Sequence, residues 1–435
     1  MSDLPTRARR RYGSTIARHG QLSAPGPIAI AAKYLGVALA VVLVSTFTVV
    51  GIAVWGIASS IKPGVSLIGE TGAPPNVGAI EGGVNLLLVG SDSGEGDPRY
   101  GKREATLNDV NILLHISEDH THATVVSFPR DLFVPVPECP DPDGEGTVSS
   151  SWSAKLNTTL ERGGLACTVE TISQFTGLDI PFAAKIEMNG VIQMSNAVGG
   201  VDVCVATPIN DLQIGLKLDA GIHTLQGDAA QLFLRTRYGV GDGSDLGRIN
   251  NQYVFLSSLM RTVKSSETLS DPYKLYGLAK AAAENMQLSN SLQNLDTMMS
   301  IAVALKDIPL EAITFAQYPT AYGSSGGIQG VLPLEADGEK LMDALKSDVP
   351  VTLTGDTGGG AVLAEGESGP ASPAPSAPAD PGSAEPGTPE TPETGEPGTA
   401  EPPAATGPPV VALPDTIHGQ TAAQQTCSAG QTARG

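Results

Sequence analysis

The sequence predicts a layered α/β domain, preceded by one transmembrane helix and followed by a disordered, proline-rich tail. Three observations carry that prediction: an uncharged apolar run early in the chain, short apolar runs interleaved with helical patterns through the middle, and a change of composition near the end. With 435 residues there is room for two or three domains of ~100–200 residues each. Apolar residues make up 41% and charged residues 17%, which excludes wholesale disorder.

Residues 1–33 hold six basic side chains (Arg7, Arg9, Arg10, Arg11, Arg18 and Lys33) against one acid, Asp3, a net +5. The whole chain is −20, so everything after residue 33 sums to −25. A body that acidic repels duplex DNA, because non-specific affinity for nucleic acid comes from clustered Lys and Arg. No nucleic-acid partner is expected. Leu35 to Ile61 then run without a charge, longer than the ~20 residues a bilayer requires and longer than a signal-peptide core of ~7–15. We assign 34–61 as an uncleaved anchor. The positive-inside rule puts residues 1–33 in the cytoplasm and the rest outside.

Residues 62–82, with Pro63, Pro74, Pro75 and five glycines, read as a spacer. The body, 83–350, opens on Val84–Gly90, a short apolar run ending in a turn residue, as expected of a strand buried on both faces. Val110–Ile116 and Ala123–Phe128 look the same, and Val201–Val205 is a further strand. Helical patterns cover 154–162, 168–176, 187–197, 228–236, 246–264, 272–286 and 292–305. This interleaving favours layers over a barrel of hairpins. No internal repeat is visible.

From about Thr357 the chain has 14 prolines and nine acids and almost no large apolar side chains. It cannot bury enough surface to offset chain entropy, so 351–435 is expected to be disordered. All four cysteines, Cys139, Cys167, Cys204 and Cys427, lie on the outer side, where oxidation is permitted. They allow three pairings. Cys139 with Cys167 is favoured, and a bridge from Cys427 would tie the terminus back to the body. Their spacing matches no zinc pattern.

Arginine is scarce outside the anchor. Of nine, five (Arg103, Arg130, Arg235, Arg237 and Arg248) fall in segments that also carry Asp and Gly. An acidic domain needs such a local concentration to hold an anion, and the guanidinium fork binds phosphate oxygens bidentately. Gly90-Ser91-Asp92-Ser93 follows a strand, where ligands of open α/β sheets collect. Asp109 opens the next strand. Together Asp92 and Asp109 could hold Mg²⁺ in partnership with phosphate oxygens. In Ser127-Phe128-Pro129-Arg130-Asp131, Pro129 ends a strand and Arg130 projects from it. Lys155-Leu156-Asn157 sits at a helix start, which favours anions.

The most specific segment runs from Leu234-Arg235-Thr236-Arg237-Tyr238, through Gly239–Gly243, to Asp245-Leu246-Gly247-Arg248 and Asn251-Gln252. Its glycines let backbone approach a ligand. Arg248 and Gln252, four apart, share a helix face.

In this order and behind an anchor, these residues resemble the LytR-CpsA-Psr family of cell-wall glycopolymer transferases over roughly residues 83–350. The resemblance implies a three-layer α/β/α domain with a mixed central sheet. It also implies transfer of a glycopolymer from a polyprenyl-diphosphate carrier to peptidoglycan, as a phosphodiester at the N-acetylmuramic acid 6-hydroxyl. Carried over, Asp92 and Asp109 would bind Mg²⁺. Arg130, Arg235, Arg237 and Arg248 would grip the diphosphate, with Lys155 and Gln252 nearby, and an apolar groove for the prenyl chain would lie between the sheet and a helix layer. Many members have an Arg two residues before the second Asp; here that residue is Leu107, and Arg103 is a substitute from the preceding loop. The Ala/Gly/Pro-rich, lysine-poor composition favours an arabinogalactan-type polymer. Alternatives are a lipid-diphosphate hydrolase, with the same cations and water as acceptor, and a non-enzymatic module that binds wall polymer.

Overall fold

A computed structural model describes residues 26–70, 83–91, 93, 106–142, 146–265, 268, 271–366 and 410–431. Helix α1, Pro27–Ser60, is apolar along its length apart from Lys33 near its start, and none of its side chains is buried. It is long and apolar enough to cross a membrane. It begins seven residues before the expected anchor, because Pro27 suits a first helical position and the Ala-rich turn after it continues the pattern.

The body is built on a seven-stranded mixed sheet. Its early strands are β1 (Val84–Ser91), β2 (Asn108–Ile116) and β3 (Ala123–Ser127). A short antiparallel pair follows, β4 (Phe133–Val136) with β5 (Ser151–Lys155), and then β6 (Phe182–Ile186), β7 (Val201–Thr207) and β8 (Gly221–Leu225). The late strands are β9 (Met286–Leu288), β10 (Ile313–Gln317), β11 (Ala361–Leu363), β12 (Gly419–Thr421) and β13 (Thr426–Ala429). The main sheet runs β9-β6-β1-β2-β3-β10-β12. The β1–β6 and β3–β10 pairs are parallel and the other four antiparallel.

The helices of the body are α2 (Thr159–Thr176), α3 (Met188–Ala197), α4 (Gly227–Arg235), α5 (Asp245–Lys264), α6 (Pro272–Asn285), α7 (Leu295–Asp307) and α8 (Glu335–Lys346). Strand periodicity sorts the sheet's side chains into two cores. Leu87, Val89, Leu113, Val126 and Ala183 pack with Leu165 and Ile172 of α2 and Leu341 and Leu345 of α8. On the other face Ile112, Val125, Ala184 and Phe315 pack with Ile249 and Tyr253 of α5 and Ile301 of α7. Helix, sheet, helix is the three-layer architecture expected. A four-stranded sheet, β8-β7-β13-β11, forms a third core with α4 and α5.

Several expectations need correction. Ala154 does not start a helix: Ser151–Lys155 is a strand, a 3-10 turn covers Leu156–Thr158, and α2 begins at Thr159. The two helical patterns at 154–162 and 168–176 meet as one kinked helix, broken where Gly163 and Gly164 leave helical dihedrals. The spacer, where described, is docked. Val65 bridges Ser289, Leu67 is buried, and the Glu70 carboxylate accepts from Leu67 and Ser291 backbone amides.

The disordered tail fails for both described parts, 351–366 and 410–431. There β12 extends the main sheet beside β10, and β13 lies between β7 and β11. Few large side chains are needed, because backbone ladders satisfy the polar groups and a Cys204–Cys427 disulfide fixes the pairing. The favoured Cys139–Cys167 bridge is also present and joins the 139–140 segment to α2.

Candidate functional site

The carboxyl ends of β1 and β6 and the first residues of β2 form the floor of a cavity of about 170 Å³. Three helices wall it. Met188, Val191 and Met194 come from α3, Gln231, Leu234 and Arg235 from α4, and Arg248, Gln252, Phe255, Leu256 and Leu259 from one face of α5. Most of the lining is aliphatic. The polar exceptions include Ser91, Asp109, Glu187, Arg235, Arg248 and Gln252.

Local sequence explains how the charges arrive. Pro129 ends β3, and Arg130 reaches across to Asp109 at the start of β2, with Nη1 to Oδ1 at 2.7 Å. Ser244 caps α5 by accepting from the Gly247 amide, which fixes Asp245 and Arg248 in the first turn. Asp245 Oδ1 lies 2.7 Å from Arg248 Nη2 and 3.2 Å from Arg130 Nε. Arg248 Nη2 also donates to the Asp109 carbonyl at 2.9 Å. Asp245 thus bridges two guanidinium groups, while Arg130 also holds Asp109, so the four side chains form one connected charge network beside the cavity. Burial alone would lower the Arg130 pKa, but the charges of Asp245 and Asp109 outweigh it and raise it. Arg130 is a permanent cation.

The sequence motif alone assigns Asp245 no role. Its value as a shared counter-ion depends on Arg130, 115 positions away in the chain, so spacing alone offered no signal. Gln252 Nε2 donates to the Leu234 carbonyl at 3.1 Å, holding the end of α4 from which Arg235 projects into the cavity. Lys155 Nζ pairs with Asp131 Oδ1 at 2.8 Å, and Asp131 Oδ2 is 3.8 Å from Arg130 Nε. Lys155 therefore belongs to the same charge network but does not line the cavity. Arg237 does not line it either. Its Nε donates to the Gly243 carbonyl at 3.1 Å and its guanidinium lies 5.4 Å from the Tyr238 ring centroid. Thr236 has left helical geometry at the end of α4, which turns Arg237 toward the glycine loop. Asp92 and Arg103 lie outside the described residues.

The class the fold defines is a three-layer α/β/α protein with an apolar N-terminal helix, whose mainly aliphatic cavity at the carboxyl ends of a mixed sheet is also lined by Asp109, Arg235 and Arg248. The profile of the LytR_cpsA_psr family matches residues 70–347, and the chain belongs to that family. It is 28% identical over 267 residues to the cell wall biosynthesis protein LcpA of Corynebacterium glutamicum, covering 55% of this chain and 51% of that one. It is 27% identical over 219 residues to the polyisoprenyl-teichoic acid-peptidoglycan teichoic acid transferase TagU of Enterococcus faecalis, covering 50% and 64%. The chain spans about half the length of the first of these relatives. A solved structure, protein gbs0355 from Streptococcus agalactiae, shares the fold with a TM-score of 0.50 and 23% identity, over 62% of this chain and 89% of that one.

Proposed function

We propose that this protein is a phosphotransferase that moves a wall glycopolymer from a polyprenyl-diphosphate carrier onto peptidoglycan. The observation that carries the reading is the continuity of the aliphatic cavity with the Arg235, Arg248 and Asp109 rim. A prenyl chain gains about 25 cal/mol for each Å² it buries there, while the guanidinium groups take the two phosphates. Similarity to a chain named as a polyisoprenyl-linked teichoic acid transferase supports it.

Phosphoryl transfer asks for positioning and charge neutralisation. Arg248 and Arg235 orient the diphosphate beside Asp109, and Arg130 holds the Asp109 carboxylate in place. The N-acetylmuramic acid 6-hydroxyl oxygen attacks the phosphorus that carries the glycan. The bridging P–O bond breaks, polyprenyl phosphate leaves with the bond's electrons, and the hydroxyl proton passes to a base that we leave unassigned. Asp109 suits a hard divalent cation: it is a partly exposed carboxylate facing the cavity, with Oδ1 shared with Arg130. We propose that Asp109, with Asp92, holds Mg²⁺. Bound there, the ion would add charge neutralisation on the phosphates. The polymer we favour is of arabinogalactan type. We also propose that the basic N-terminal segment is cytoplasmic and the body outside, where tethering would raise the effective concentration of a lipid-linked donor.

The test is product analysis with a polyprenyl-diphosphate-linked glycan, with and without peptidoglycan. Polymer covalently joined to peptidoglycan, dependent on Mg²⁺, is expected. Free phosphorylated polymer in equal yield with and without acceptor would make the protein a hydrolase, and retention of intact donor would make it a binding module.

A further inference from the structure

The C-terminal segment lies beyond the residues matched by the family profile, yet it touches the arginine-bearing loop at several points. Gly241 N donates to the Ala429 carbonyl at 3.1 Å and Gln431 N to the Gly239 carbonyl at 2.8 Å. Val240 and Gly430 form an antiparallel bridge. Ala429 N donates in turn to Gly360. Gly360 is left-handed (φ +97°), and a Cβ there would lie 2.5 Å from the Gly247 carbonyl oxygen, so only glycine lets this strand close on the start of α5. Asn250 Nδ2 donates to Gly359 at 3.0 Å.

A buried relay leads further in. Ser428 Oγ donates to Asn251 Oδ1, and Asn251 Nδ2 donates to the Phe233 carbonyl at 2.8 Å, next to the Leu234 carbonyl held by Gln252. These contacts fix the last turn of α4, which carries Arg235. The Cys204–Cys427 disulfide anchors β13 to β7 beside the relay.

We propose that β13 and the 358–360 turn form a positioning clamp. They hold the Gly239–Gly247 loop and the ends of α4 and α5, so that Arg235 and Arg248 face one cavity. The functional consequence rests on the diphosphate reading above, but the clamp itself can be read without it.

The test uses the full-length protein with a protease site inserted within residues 367–409. Cut and oxidised, the C-terminal fragment stays attached through Cys204–Cys427. Cut and reduced, it is released and removed by gel filtration. Amide exchange of residues 239–247 and affinity for a short prenyl diphosphate are measured in each state. Uncut protein under the same reductant controls for loss of Cys139–Cys167. We expect the uncut, uncut-reduced and cut-oxidised proteins to behave alike. The released body should keep its near-ultraviolet circular dichroism, exchange the loop at least tenfold faster and bind at least tenfold more weakly. A peptide of residues 410–431 should restore both.

A released body with the loop still protected and affinity unchanged would overturn the proposal. So would a released body that unfolds, since the segment would then be ordinary core. Ser428→Ala gives a second reading: faster loop exchange and several-fold weaker binding are expected with a Tm lower by only a few degrees, about what one unsatisfied buried acceptor costs, and no change in exchange or binding would count against the relay. If the intact protein fails to bind the prenyl diphosphate, the functional reading falls, while the exchange data still decide the clamp.

Discussion

The two ends of the central sheet both carry buried polar groups, and among the described residues those at one end line the aliphatic cavity. At the carboxyl end of β1, Asp109, Arg130, Asp245 and Arg248 share charges around an aliphatic pocket. At the opposite end His115 and Asn85 face each other across β1 and β2, with Nδ1 to Oδ1 at 2.8 Å, while His115 Nε2 lies 3.2 Å from Asp348 Oδ1. Asp348 Oδ2 accepts from the Glu118 amide. The second cluster is closed on itself and ties the loop after α8 to the sheet. The first leaves Asp109 and Arg248 on a cavity wall. Buried charge that borders a cavity is free to meet a ligand, while buried charge matched within itself serves the fold.

Removing a charge at each end should separate these roles most sharply. Arg248→Ala leaves Asp245 buried with Arg130 as its remaining ion-pair partner. Loss of one partner from a buried pair costs about 3–5 kcal/mol of stability, and loss of a phosphate-gripping donor costs about 10²–10³ in turnover. Urea unfolding and initial rates of polymer transfer would read the two effects. Asp348→Ala at the far end should lower Tm and leave the transfer rate per folded molecule within twofold. Equal losses of rate in both variants would erase the distinction.

A smaller effect is expected from filling the cavity without touching a charge. Val191 lines it from α3, and Val191→Trp should obstruct a volume of about 170 Å³. With a long-chain prenyl donor, kcat/KM should fall about 10–100-fold, since each lost methylene contact removes about 0.8 kcal/mol. A donor with a very short chain should lose much less. Identical losses for both donors would show that the lipid does not enter this cavity.

The same contrast explains what could be read without coordinates. Strands β1 and β3 are legible because their apolar runs end at Gly90 and Pro129, β2 from its apolar run alone, and α5 because its apolar period is long. Strand β10, Ile313–Gln317, is buried throughout yet has no clear signal in the sequence, since five residues of which only Ile313, Phe315 and Ala316 are apolar, close to a helical pattern, are too short to set a period. Strands β12 and β13 use Gly, Gln, Thr and Ser, and owe their place to backbone pairing and Cys427. At the site, scarce arginines pointed to a shared pocket, and Arg235 and Arg248 reach it. Arg237 has the same chemistry, but chain direction after Thr236 sends it to the loop. The α3 lining was illegible because Met188, Val191 and Met194 resemble any amphipathic helix face.

The smallest expected effect concerns pH at the far end. Burial lowers the His115 pKa below its ordinary value of 6.5, and the neighbouring Asp348 only partly opposes this, with His122 adding a further lowering. The folded state therefore resists protonation more than the unfolded chain does. Stability from this group is complete above about pH 6.5 and declines as pH falls toward the lower folded pKa, by at most about 1.4 kcal/mol per pH unit. His122, whose pKa burial also lowers, acts in the same direction. His115→Gln, which retains a side chain able to hydrogen bond with Asn85, should flatten the fall in Tm between pH 7 and pH 5, while transfer activity at pH 7 stays unchanged. A variant whose Tm falls as steeply as that of the parent would place the acid sensitivity elsewhere, with the carboxylates of the pocket end the next groups to replace.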